Sequence, residues 1–181
     1  MSHRQLSLMP VLDYAATNDD WYTPPEVFQA LGLSFDLDVA STPDGIPWIP
    51  TTAWYSVHDD GLSQQWTGLV WCNPPFSRAK DWSLRFIDHG DGVLLASIPN
   101  DTRWFTDLYR GSALVYFGDR GWSYHRPDGK HTQNPWPTMM AAMGDEAKSG
   151  LRRLASVFPG VLTEQHQPLR SGRTLQEAAK V

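Results

Sequence analysis

The chain has 181 residues, of which 41% are hydrophobic and 19% charged, so it can bury the core of one compact domain and is not globally disordered. Its net charge of −5 excludes a strongly basic surface over the whole chain, and its one cysteine, Cys72, excludes a disulfide framework. Charge is uneven, because residues 1–60 hold nine acids and one base while residues 61–181 hold fourteen bases and eleven acids. The charge distribution therefore allows a local basic face in the second half of the chain.

The start of the chain does not have the pattern of a secretion signal. The apolar stretch from Leu6 to Leu12 is short, is interrupted by Pro10 and follows a single basic residue. No run approaches the 18 apolar residues of a membrane span. We therefore expect a cytoplasmic protein with no membrane partner, and a buried Cys72 with no redox role.

The first half predicts an arm, a helix and a strand. Residues 1–17 read as a loosely held arm, and 18–145 as the folded domain. Thr23 is the expected helix cap before Pro24 and Pro25, and Gly32 is the expected helix end. Residues 35–39 alternate as a strand does, and the proline-rich residues 41–52 predict a loop.

The second half alternates short apolar runs with amphipathic segments. Strands are predicted at 68–72, 92–98, 113–117 and 138–143, and helices at 77–88, with Ser77 as N-cap, and at 101–109. The polar residues 119–137 predict a long loop before the last strand returns antiparallel. Residues 146–181 predict a C-terminal tail, partly helical near 148–155 and otherwise flexible.

This order of elements predicts an α/β fold: a mostly parallel sheet, covered on both faces, with an antiparallel hairpin at its edge. Ligands of such sheets bind beyond the carboxyl ends of the strands. Asp38 and Asn73 each end a predicted strand. We therefore expect both side chains to face one crevice.

The segment Asn73-Pro-Pro-Phe76 carries the strongest chemical signal. Prolines restrict the backbone, so the Asn73 amide oxygen and the Pro74 carbonyl could accept the two N–H bonds of a planar amino group while Phe76 stacks on its ring. Two acceptors on the N–H bonds favour a pyramidal amino nitrogen whose lone pair is free to attack. If the methyl donor is a reactive sulfonium, the amino group does not need a strong general base to deprotonate it first. The alternative from these four residues alone is a Pro-Pro turn with Phe76 in the core.

The surrounding segments resemble the phage-type DNA N6-adenine methyltransferases, a Dam-like family. The resemblance runs from about Trp21 to Gly144. It depends on the order and spacing of these segments: Trp21-Tyr-Thr-Pro24; Phe35-Asp-Leu-Asp-Val-Ala40; Asp59-Asp-Gly-Leu62 with Trp66; Gly68-Leu-Val-Trp-Cys-Asn-Pro-Pro-Phe76; Ile98-Pro99 with Trp104-Phe105; and Trp136-Pro137.

The resemblance implies a Rossmann-like, S-adenosylmethionine-dependent enzyme that methylates the N6 amino group of adenine in double-stranded DNA after base flipping. It implies that the catalytic residues are Asn73, Pro74, Pro75 and Phe76, and that the cofactor residues are Tyr22, Thr23, Pro24, Asp38, Ala40 and Asp60. For Asp38 and Asp60 the alternative role is that of capping or turn residues. Basic and aromatic residues in and near the later loop are the candidate DNA contacts: Arg103, Trp104, Arg120, Arg126 and Lys130.

The implied biology is phage DNA modification against host restriction, in the host cytoplasm. Alternatives are an N4-cytosine or protein-amide methyltransferase, or a non-catalytic DNA- or partner-binding module of the same fold. No separate recognition domain fits this length, so specificity must come from the 119–137 loop, from the tail or from a second subunit in a homodimer. His58, His125 and His131 are too loosely spaced to predict a metal site and are expected at the surface.

Overall fold

The computed structural model describes residues 21–98, 103–111, 114–119, 122–126, 129–133 and 137–164. Four α-helices and eight strands lie in these ranges. The helices are α1 (Pro25–Leu31), α2 (Ala79–His89), α3 (Arg103–Gly111) and α4 (Asp145–Val157), with one 3₁₀ turn at Phe76–Arg78. The strands are β1 (Leu37–Asp38), β2 (Val70–Cys72), β3 (Gly92–Ser97), β4 (Leu114–Gly118), β5 (Ser123–His125), β6 (His131–Gln133), β7 (Thr138–Met143) and β8 (Gly160–Glu164).

Six strands form one mixed sheet in the order β1-β2-β3-β7-β4-β8. Neighbours β1, β2 and β3 are parallel, whereas β7 pairs antiparallel with both β3 and β4. The predicted antiparallel pairing of the last two strands is confirmed, but this pair does not form the edge, because β8 pairs with the outer side of β4. The edge strand is β8, which pairs antiparallel with β4 and arises from residues predicted to be tail.

Alternation along the buried strands creates two cores. Trp71 and Val93 face one side together with α1 and α4, while Cys72 and Leu94 face the other side with α2 and α3. Helices therefore cover both faces of the sheet, as the sequence predicts. Of the helices in the described ranges, none is long and apolar enough to cross a membrane.

Helix α1 is fixed at both ends. Pro24, not Thr23, occupies the N-cap position, and Gly32 ends the helix in the left-handed conformation at φ 58°. Arg153 of α4 donates to the carbonyl groups of Leu31 and Gly32 at 2.9 and 3.1 Å. These bonds satisfy carbonyls that the helix end leaves unpaired and tie α1 to α4.

The outer edge of β1 is covered by the loop that follows it. The Asp38 amide donates to the Ala53 carbonyl at 3.0 Å, and the Tyr55 amide donates back to the Asp38 carbonyl at 2.8 Å. Of the strand predicted over 35–39, only Leu37 and Asp38 form a strand, which lies between β2 and this loop. This arrangement fixes the end of β1 where Asp38 stands.

Candidate active site

A cavity of about 660 Å³ lies at the carboxyl ends of β1 and β2. That volume falls within the usual range for small-molecule sites. Asp38 and Asn73 both line the cavity, which confirms the single crevice predicted for these two strand ends. The rest of the wall comes from the segment before α1, from the loops that follow β1 and from the first residues beyond β2.

Asn73 follows the last residue of β2, and its side chain has a defined orientation. Its Nδ2 donates to the main-chain carbonyl of Trp21 at 2.6 Å. Because an amide group has distinct donor and acceptor ends, this bond assigns nitrogen to the Trp21 side and leaves Oδ1 as the acceptor available to a ligand. The segment that precedes α1 therefore determines which end of the Asn73 amide faces the cavity.

The residues after Asn73 turn the chain out of the sheet. Pro75 precedes the 3₁₀ turn, and its carbonyl accepts from the Arg78 amide at 3.0 Å. Pro75 lines the cavity, whereas the buried Pro74 and the half-buried Phe76 are not among the described wall residues. The structure therefore places two of the four predicted catalytic residues, Asn73 and Pro75, directly on the cavity.

Asp38 is 1% exposed. Burial raises the pKa of its carboxyl group from 3.8 to about 7. Hydrogen bonds from the Ser41 side chain and from the Ala40 amide oppose this shift, and the Ala40 amide donates to Oδ1 at 3.2 Å. The same burial, with the nearby charge of Asp38, raises the pKa of Cys72, so that thiol stays protonated. A buried carboxylate without a cationic side-chain partner among the described residues is suited to a positively charged ligand.

The other predicted cofactor residues divide into wall residues and one outlier. Tyr22, Thr23, Ala40 and Asp60 line the cavity, whereas Pro24 serves as the N-cap of α1 and is not among the described wall residues. Asp60 has the predicted turn role and also lies on the cavity wall. It lines the cavity, and it has a left-handed backbone at φ 51° in a turn where its carbonyl accepts from the Ser63 amide at 2.8 Å.

Two buried polar atoms on the wall residues lack a hydrogen-bond partner within the described part of the chain: Thr23 Oγ1 and Trp82 Nε1. An unpaired buried polar atom costs about 1–3 kcal/mol, a cost that a ligand bonded to it would remove. Thr23 is one of the cofactor residues predicted from the sequence. Trp82 carries no local signal for a site, because its place on the wall depends on long-range packing.

Gly61 lets the loop after β1 approach that strand closely. A Cβ atom at this position would overlap the carbonyl oxygen of Val39, and Gly61 lines the cavity. Its carbonyl accepts from Trp66 Nε1 at 2.7 Å. Of the tryptophans in the described ranges, Trp21, Trp71 and Trp82 line the cavity, whereas Trp48, Trp54 and Trp66 do not.

The predicted DNA contacts in the described ranges lie on two elements: Arg126 and Lys130 in the β5–β6 hairpin, where the Arg126 amide donates to the Lys130 carbonyl at 2.9 Å, and Arg103 and Trp104 on α3. Arg126 lies beside the cavity, with its guanidinium carbon 4.6 Å from the centre of the Trp21 ring. Lys130 is exposed next to β6, and Arg103 is exposed on α3 with the half-buried Trp104 beside it. Arg120, Pro99 and Trp136 lie outside the described residues.

His125 was expected at the surface, but it is buried. Its ring packs 5.1 Å from Trp48 and 4.0 Å from its cross-strand partner His131, measured between ring centres. Burial, with the neighbouring His131, lowers the pKa of His125, so the neutral ring is favoured. This residue therefore anchors the β5–β6 hairpin.

The chain thus has an α/β sheet with a partly apolar cavity beyond two parallel strand ends, the position at which sheets of this class bind ligands. The family model for DNA N-6-adenine-methyltransferase (Dam) matches residues 13–135. This match spans more than half of the chain, and the chain belongs to that family. Searches of curated proteins and of solved structures found no match.

Proposed function

We propose that this protein transfers a methyl group from S-adenosylmethionine to the N6 amino group of adenine in double-stranded DNA. The observation that supports this most strongly is the fixed Asn73 amide, whose Nδ2 is held by the Trp21 carbonyl at 2.6 Å while the cavity with Asp38 lies alongside. Family membership supports the reaction and the base. The parallel strands β1–β3, with antiparallel β7 inserted next to them, support a Rossmann-like methyltransferase sheet.

The residues of the cavity fit the cofactor. Its volume suits a nucleoside-sized ligand, and the unpaired polar atoms of Thr23 and Trp82 could bond its hydroxyl and ring nitrogen groups. Asp38 and Asp60 would face its positively charged amino acid portion and its ribose hydroxyls. When bound, S-adenosylmethionine would supply an electrophilic methyl group on a sulfonium. The chain supplies the acidic wall that favours such a cation.

The target amine would be held by acceptors at the end of β2. Asn73 Oδ1 would accept one N–H bond, and the Pro74 carbonyl would accept the other. These two bonds draw the nitrogen lone pair out of conjugation and orient it for attack, an effect of positioning and electrostatic preorganisation. Phe76, half-buried beside this corner, would stack on the adenine ring. Once methylated, the nitrogen would carry a positive charge and would lose one proton to water.

Adenine in a duplex is stacked and paired, so it must be flipped out to reach Asn73, at a cost of a few kcal/mol. The β5–β6 hairpin lies next to the cavity through Tyr22, and it carries the exposed Lys130. We propose that this hairpin and α3, with Arg103 and Trp104, contact the DNA backbone and the flipped strand. Modification of phage DNA against host restriction is the proposed biological role, in the host cytoplasm.

The decisive experiment incubates the purified protein and its Asn73→Ala variant with unmethylated DNA and cofactor, followed by mass spectrometry of the digested nucleosides. N6-methyladenine with the parent protein, and its loss in a variant that still binds cofactor, would support the proposal. The detection of N4-methylcytosine would refute the adenine assignment. Cofactor binding with no methyl transfer to any unmethylated DNA would favour a non-catalytic binding module instead.

A further inference from the structure

A chain of contacts joins the β5–β6 hairpin to Asn73 through the segment before α1. Tyr22 and His125 exchange two backbone hydrogen bonds, each 3.0 Å long. One residue earlier, the Trp21 carbonyl accepts the 2.6 Å bond from Asn73 Nδ2. A displacement of the hairpin must therefore displace the group that orients the Asn73 amide.

The Trp21 ring is held by two neighbours from this hairpin. The Arg126 guanidinium lies over its face at 4.6 Å, and Tyr124 meets it edge-on with ring centres 6.0 Å apart. Tyr124 is fully buried, and its hydroxyl lies 3.2 Å from Thr138 Oγ1 on β7. The edge of the Trp21 ring thus packs against a residue anchored to the sheet, whereas the contact on its face depends on Arg126.

The planar Asn73 amide can be placed in two orientations that differ by a half-turn, and the structure has one of them. In the observed state Nδ2 meets the Trp21 carbonyl, and Oδ1 is the acceptor left for a ligand. In the flipped state two oxygens would face each other, and an NH₂ group would meet the target amine. The flipped state cannot accept an N–H bond, so it is inactive.

We propose that Trp21 and Arg126 are positioning residues that hold the Trp21 carbonyl where it fixes the active orientation of Asn73. The sequence assigned Arg126 to DNA contact, whereas the structure places its cation over an indole that leads to the catalytic amide. The inference rests on the proposed function for its kinetic consequence. Its structural part, the control of the Asn73 amide, does not.

The kinetic test compares Arg126→Ala with Arg126→Lys and with Arg152→Ala, an exposed arginine on α4 that pairs with Glu164. Arg126→Ala should lower kcat by about tenfold with cofactor affinity nearly unchanged, because a small misplacement of a reacting group costs one to two orders of magnitude. Arg126→Lys keeps a cation over the ring and should recover most of this loss. Arg152→Ala should leave both parameters unchanged.

A nuclear magnetic resonance test reports on the amide directly. The Asn73 side-chain NH₂ signals, assigned by their loss in Asn73→Ala, should move in Arg126→Ala and in Trp21→Phe but not in Arg152→Ala. If Arg126→Ala raises only the KM for DNA and the signals stay in place, Arg126 is a DNA contact and the proposal is overturned. If the parent protein methylates no DNA, the proposed function fails, and the movement or constancy of the Asn73 signals still decides the inference.

Discussion

Replacing Asp38 by asparagine should remove a pH dependence from the stability of the fold. In the folded chain, burial holds the pKa of Asp38 at about 7, whereas the exposed carboxyl group has a value of 3.8. The folded state therefore binds this proton more tightly than the unfolded state does. The free energy of unfolding should fall as the pH rises from about 4 to about 7, and then level off.

The size of the effect follows from the shift. A raised pKa of about three units corresponds to at most about 4 kcal/mol lost between these limits, at about 1.4 kcal/mol for each unit. The asparagine side chain of the variant cannot ionise, so its stability curve should lack this component. A positively charged cofactor favours the carboxylate, so cofactor should bind the parent protein more tightly as the pH rises through 7, and this gain should vanish in Asp38→Asn.

The assay is urea denaturation at a series of pH values, with cofactor titration at the same values. Asp88→Asn is the matched control, because Asp88 is an exposed carboxylate that pairs with Arg85 on the surface of α2. Its removal should change stability little at any pH. If Asp38→Asn and the parent protein show the same slope of stability against pH, the buried, protonated state of Asp38 is refuted.

Three further substitutions test separate parts of the site. Asn73→Asp should lower kcat about tenfold or more above neutral pH, because an ionised carboxylate cannot donate to the Trp21 carbonyl. Activity should partly return as the pH falls and this carboxyl group protonates. Thr23→Val should raise the melting temperature of the cofactor-free protein while weakening cofactor binding, since it removes a buried, unpaired hydroxyl. Gly61→Ala should lower the free energy of unfolding by about 1–3 kcal/mol, measured by urea denaturation, because its Cβ would overlap the Val39 carbonyl.

Each of these expectations has a clear contrary result. An Asn73→Asp variant with parental activity at every pH would show that the bond to Trp21 does not orient the amide. Unchanged cofactor affinity in Thr23→Val would remove that hydroxyl from the cofactor contacts, with Thr23→Ser as the control that restores the donor. A Gly61→Ala variant as stable as its parent would show that the loop moves away from Val39 without cost.

The sequence predicts the interior of this fold well, because continuous apolar runs leave few options. The strand predicted at 138–143 has the bounds of β7, and the one at 68–72 differs from β2 only at its start. Strand β8 was missed because its side chains are mostly exposed, with neither alternation nor a buried run to indicate it. It forms through backbone pairing with β4, which local sequence does not encode.

The same contrast applies to the site. The convergence of Asp38 and Asn73 could be predicted, because parallel strands end at the same side of a sheet. The bond between Asn73 and the Trp21 carbonyl could not, since it joins positions 52 residues apart through a main-chain atom that any residue would supply. Thr23 and Ser77 were predicted as helix caps, but Pro24 and Arg78 occupy those positions.

Cys72 gives the protein a built-in reporter of local opening. It is the single thiol of the chain, it is fully buried, and it immediately precedes Asn73. A thiol reagent can reach it only when the end of β2 separates from its neighbours, so the labelling rate measures how often this strand opens. A ligand in the cavity must slow that labelling by as much as it stabilises the closed strand. The occupancy of the site can therefore be followed by thiol labelling of the unsubstituted protein.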